Sequence, residues 1–144
     1  MASTLDSQKF ASKNNVTMYD FDPGATAAAD VAWVDLRDYE GIHISVMHSV
    51  GTGEISTFNI LGNSASDGSG SDVELKASTP TTADAVGDTV HLEVTAEELA
   101  ALGTDLRYVS ASVALGTGTD ECVVTYVRYG AKHAAADKTA NVIA

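Results

Sequence analysis

Hydrophobic and polar positions alternate in short runs along most of the chain, the period-two signature of strands with one buried face. The clearest run is Gly41–Val50, GIHISVMHSV. It places Ile42, Ile44, Val46, His48 and Val50 on one face and His43, Ser45, Met47 and Ser49 on the other. Thr89–Thr95, TVHLEVT, alternates as cleanly, with Val90, Leu92 and Val94 inward and His91 and Glu93 outward. Further strands are predicted at 16–21 (VTMYDF), 31–36 (VAWVDL), 54–61 (EISTFNIL) and 73–77 (VELKA). The turn signal Asp22-Pro23-Gly24 closes the first of these, and 25–30, ATAAAD, fits either a short helix or a loop.

The run LRYVSASVALGTGTDECVVTYVRYG, residues 106–130, holds two more strands around a Gly-Thr-Gly turn. In the first, Val109, Ala111, Val113 and Leu115 face one way, and Ser110, Ser112 and Ala114 face the other as a flat surface suited to contact. In the second, Cys122, Val124 and Tyr126 oppose Val123, Val127 and Tyr129, so both faces carry apolar side chains and burial on both is expected. An internal echo links this run to ISVMHSVGTGEISTFNILG, residues 44–62. Each reads as strand, Gly-Thr-Gly, strand, which predicts two hairpins forming the halves of a sandwich. One helix is expected at 96–102, where Thr95 and Glu98 form a capping box, Gly103 stops the helix, and Leu99 and Leu102 supply its apolar stripe. The polar stretches 62–72, GNSASDGSGSD, and 78–88, STPTTADAVGD, read as loops, the first flexible and exposed. About eight short strands and one short helix make an all-β chain, an antiparallel β-sandwich or jelly-roll-like barrel. The sandwich is expected over 16–131. An extended N-terminal arm, 1–15, carries Phe10, and a C-terminal tail, 132–144, ends near Val142 and Ile143.

Composition narrows this further. A length of 144 residues suits one domain that buries a core without metal or disulfide. With 44% hydrophobic but only 6% aromatic residues, that core is aliphatic. The single cysteine, Cys122, excludes an intramolecular disulfide and favours assembly in a reducing cytoplasm. No apolar h-region follows Met1 and no run approaches the roughly 18 to 20 apolar residues of a membrane span, so neither export by a signal peptide nor a membrane partner is expected. The net charge of −12 is uneven. Residues 20–121 hold 18 acidic against three basic side chains, while 1–19 carry +1 and 122–144 carry +2. An acidic body repels phosphate backbones, which argues against nucleic acid. The basic ends are suited to acidic faces on neighbouring copies or on a partner.

Candidate chemistry is sparse. His43 and His48 share a strand, but their odd spacing puts them on opposite faces, and no His-x-His or His-x-x-x-His pair occurs. His43 and His91 read as surface imidazoles and His48 as core edge. Cys122 stands beside Asp120 and Glu121, which would raise its pKa, so it reads as a small buried hydrophobe. The loop DGSGSD, Asp67 to Asp72, lacks the dozen alternating oxygens of an EF-hand, and calcium at Asp67 and Asp72 is not expected. Neither Gly-Thr-Gly opens a helix to cradle phosphate, and no nucleophile elbow, P-loop or dinucleotide fingerprint is present. No cofactor and no catalysis are expected.

Three segments carry a resemblance: AWVDLRDYEGIHISVMHSVGTGEISTFNILGNSASDGSGSD, then LEVTAEELAALGTDLRYVSASVAL, then VVTYVRYGAK. In their order they resemble small virion structural proteins of tailed bacteriophages, over about Trp33 to Lys132. The resemblance implies a capsid decoration, or cement, protein on the outside of a phage head, with a neck or tail ring component as the alternative. It implies the major capsid protein and further copies of the same chain as partners, a trimer being one option, and assembly in the host cytoplasm. A carbohydrate-binding β-sandwich is a third reading, ranked last because the aromatics mostly sit in strand patterns. Expected contacts are Lys9, Phe10, Lys13, Ser110, Ser112, Lys132, Val142 and Ile143.

Overall fold

The computed structural model describes residues 13–80 and 82–132. Along them run β1 (Asn15–Phe21), β2 (Ala29–Asp30), β3 (Val34–Asp35), β4 (Gly41–Val50), β5 (Ile55–Asn63), β6 (Val73–Ser78) and β7 (Thr89–Thr95). The helix α1 (Ala96–Leu102) and the strands β8 (Tyr108–Leu115) and β9 (Glu121–Tyr129) follow. The strands form two antiparallel sheets, β1-β9-β4-β7 and β2-β8-β5-β6, with β3 pairing β8 beyond β2. With β2 and β3 taken as one interrupted strand, every connection crosses between the sheets except the β5–β6 hairpin. That winding is a jelly roll, within the all-β sandwich class expected from the alternation.

The two Gly-Thr-Gly units are not hairpins. Each sends one strand into each sheet: β4 and β9 pair in the first sheet, β5 and β8 in the second. The units therefore lie side by side and build the centre of both sheets, instead of forming one half each. Their inner faces make the core, with Ile42, Ile44, Val46 and Val124 across from Phe58, Ile60, Val109 and Val113, all fully buried. Burial of such side chains contributes about 1.5 to 3 kcal/mol each.

Local departures from strict alternation have local causes. A register shift between His48 and Val50 turns Val50 outward, 47% exposed, although the period placed it inside. A second shift between Ile55 and Thr57 lets Ile55 and Phe58 both face inward despite their odd spacing. The predicted strand 31–36 survives only as β3, because the chain leaves the ladder between β2 and β3. Tyr126 fills that gap. Its hydroxyl accepts a hydrogen bond from Ala111 N at 2.8 Å and donates to Ala32 O at 2.9 Å.

The helix keeps the expected bounds and capping box: Thr95 Oγ1 accepts from Glu98 N, and Thr95 N donates to the Glu98 carboxylate. Of its two leucines only Leu99 is buried, and Leu102 is 54% exposed. The loop after β5 is pinned to its own root: buried Asn63 donates through Nδ2 to Gly68 O, Gly70 O and Asp72 Oδ1. Gly68 has φ +73° and lies against the Trp33 ring, so both its backbone and its lack of a side chain are required there.

Candidate interaction surface

The sandwich has two unlike ends. At one, Asp120 gathers both Gly-Thr-Gly turns: its Oδ1 accepts from Thr52 N at 3.1 Å and Gly53 N at 3.2 Å, and its Oδ2 accepts from Thr117 N at 3.0 Å. A side chain at Gly51 or Gly53 would collide with this carboxylate, and Gly51 also has φ +108°, a turn conformation that favours glycine. Burial pushes the Asp120 pKa up, but the hydrogen bonds from the Thr117 side chain and from the Gly53 and Thr117 amides, with nearby His48, outweigh it and hold the carboxyl below its usual range. His48 is itself fully buried, and neither ring nitrogen has a hydrogen-bond partner. The residues around this end, Asp22, Glu54, Asp84, Asp88, Asp120 and Glu121, are acidic, with no cation beside them among the described residues.

At the other end the two ends of the described body meet. Ala131 N donates to Lys13 O at 2.9 Å, and Lys132 N donates to Asp38 O. Five of the six described cations, Lys13, Arg37, Arg107, Arg128 and Lys132, sit here. Arg107 forks onto the Asp35 carboxylate, Nε at 2.9 Å, and holds it below the usual carboxylate range against the opposing effect of burial. Arg128 donates to Asp35 O and lies over the Tyr39 ring at 4.8 Å. Between α1 and the segment 104–107 lies a cleft of about 300 Å³, lined by Leu36, Arg37, Leu99, Leu106, Arg107 and Lys132 among others.

A third feature is the outer face of the β1-β9-β4-β7 sheet. Register places three rows across it: Val16, Val127, His43, Glu93; then Met18, Thr125, Ser45, His91; then Asp20, Val123, Met47, Thr89. Met18 is 66% and Met47 37% exposed. The second apolar side of β9 is thus half-buried, not covered. On the β4–β7 side the His43 and His91 rings stack, centroids 5.2 Å apart. Sequence spacing within one strand hid this pair, because the second imidazole comes from another strand.

The expected contact residues divide. Lys13 and Lys132 are exposed and come together where the two ends of the described body meet. Ser110 and Ser112 do not form a free surface: Ser110 is fully buried and Ser112 nearly so. Ser112 reaches Asp30, which also meets Trp33, and Trp33 lies against Gly68 of the 64–72 loop. That folded-back loop is what alternation could not foresee. Lys9, Phe10, Val142 and Ile143 lie outside the described residues. Asp72 is taken up by Asn63, and Asp67 accepts from Ser69 N. Among the described residues no group of three or more His, Cys, Asp or Glu is placed to hold a metal. Cys122 is buried and its thiol pushed up to about 12 by desolvation, not by its acidic neighbours.

No family model matches the chain, and no curated protein matches it. Solved structures similar to part of it include the SPBc2 prophage-derived protein YomS, at 15% identity and TM-score 0.41 over 79% of this chain and 93% of that one. The PRD1 vertex protein P5 aligns at 14% identity and TM-score 0.41, covering 83% of this chain and 98% of that one. A carbohydrate-binding module of endoglucanase Cel5A from Eubacterium cellulosolvens aligns at 15% identity and TM-score 0.41, covering 81% and 98%. At such identities and scores these likenesses carry no argument about what this chain does.

Proposed function

We propose that this chain is a non-enzymatic structural protein of a phage virion, a decoration protein that fastens to the outside of the head. The observation that carries the proposal is the end where five of the six described cations gather, among the carboxylates Asp35, Asp38 and Asp105. A body of net charge −12 concentrates its described cations where both of its chain ends leave, side by side. Such an end suits an acidic face of the major capsid protein, while the acidic turn end is repelled and stays outward. The arms, with Lys9, Phe10, Val142 and Ile143, reach to neighbours, and fully buried anchors contribute about 1.5 to 3 kcal/mol each against about 1 to 2 kcal/mol per ordered residue. Many copies on one shell supply the remaining avidity. Jelly rolls serve viral shells and lectins alike, so the fold is compatible with this reading without deciding it.

The test is co-sedimentation with preformed, expanded shells. Chains lacking residues 1–12, and chains carrying Lys13→Glu with Lys132→Glu, fold normally and bind at least about tenfold more weakly. Unchanged saturation by both would sink the proposal. Gel densitometry of purified virions separates the two virion readings: hundreds of copies for a decoration protein, about a dozen or fewer for a neck or tail ring.

A further inference from the structure

We propose that His43 and His91 form a two-histidine chelate for a late first-row divalent cation, Zn²⁺, Ni²⁺ or Cu²⁺, on the outer face of the β1-β9-β4-β7 sheet. The two imidazoles stand on adjacent antiparallel strands, diagonal in register: Ser45 is opposite His91, and Glu93 is opposite His43. His91 is exposed on the edge strand β7 and His43 is half-buried beside it, so an ion reaches both from solvent.

The spacing fits. A Zn–N bond of about 2.0 to 2.1 Å and a ring radius of about 1.1 Å put each ring centroid about 3.2 Å from the ion, and a tetrahedral angle then separates the centroids by about 5.2 Å. The observed separation is 5.2 Å, so the rings stand at chelating distance and side-chain rotation is what must bring a nitrogen of each to one ion. The rings are 30° from parallel, and turning them about their terminal torsions is cheap because that torsion is broad. Imidazole nitrogen is the ligand type these cations prefer, whereas calcium and magnesium prefer oxygen.

The surroundings favour a cation. Glu93, on the same face as His91, brings a negative charge beside the pair. Its carboxylate already accepts the Tyr129 hydroxyl. Glu93 is therefore held as a charge beside the ion and is not counted as a third ligand, and water completes the coordination. The site does not depend on the virion reading, because it belongs to the free chain.

The test uses the untagged full chain and zinc chloride, followed by titration calorimetry and by amide chemical shifts. Wild type binds one Zn²⁺ saturably at pH 7.5, with shifts centred on His43 and His91. His43→Ala and His91→Ala each weaken binding by at least about tenfold, the scale of losing even a supporting partner. His133→Ala leaves it unchanged, and magnesium does not compete. Absence of saturable binding at pH 7.5 would overturn the proposal. So would retained binding in the double variant, since that would be diffuse carboxylate binding on an acidic surface.

Discussion

Asp120 joins two turns that lie far apart in sequence, at 67 and 68 positions from its partners in the first turn. Asp120 is fully buried and the three amide bonds it accepts are part-buried, so removing the carboxylate strands several backbone donors at once. Asp120→Ala is expected to cost about 2 to 4 kcal/mol in urea unfolding. The pH dependence follows from the lowered pKa of this group in the folded chain. An unfolded aspartate titrates near about 3.9, so the contribution is fully present above that value and is lost as pH falls through the lower folded pKa. Wild type should therefore lose more stability below about pH 4 than Asp120→Asn does. Equal slopes for the two would show that the carboxylate charge plays no part.

At the scale of elements, the weak place is the edge of β8, where β2 and β3 break. There one phenolic hydroxyl replaces the missing ladder contacts of Ala111 and Ala32. Tyr126→Phe keeps the packing and leaves a buried amide and a carbonyl unpaired, for a loss of about 2 to 4 kcal/mol. Hydrogen exchange checks it residue by residue. The Ala111 amide should exchange much faster in the variant, while amides of the β4–β9 ladder change only by the global loss. The helix is a smaller matter. Its capping box contributes about 1 kcal/mol, and the Lys76–Glu98 bridge, exposed on both sides, adds little.

For the whole molecule, an acidic turn end stands opposite an end where cations and carboxylates are mixed. Contacts made by exposed cations weaken with salt, because charges more than about 10 Å apart are screened at 0.1 M. Attachment to shells should therefore weaken progressively from about 0.05 to 0.5 M sodium chloride, and the Lys13→Glu, Lys132→Glu chain should show a flatter dependence. A salt-insensitive attachment in wild type would assign the contact to the apolar face around Met18 and Val123 instead.

The strands at 41–50 and 89–95, the helix at 96–102 and its cap were legible in the sequence alone, and so was the all-β class. Their signals are alternation and capping, contacts among residues a few positions apart, which any local reading of the chain contains. Tertiary structure decided which strands pair, and with it everything about the surface. The repeated Gly-Thr-Gly proved to be two sheet-crossing turns under one carboxylate, whose partners lie 67 and 68 positions away in one turn and three away in the other. The serine side of β8 was covered by a loop folding back through Trp33, and the histidines met only because β4 and β7 are neighbours. Pairing of this kind depends on chain winding and loop closure, which the period of hydrophobic residues does not encode.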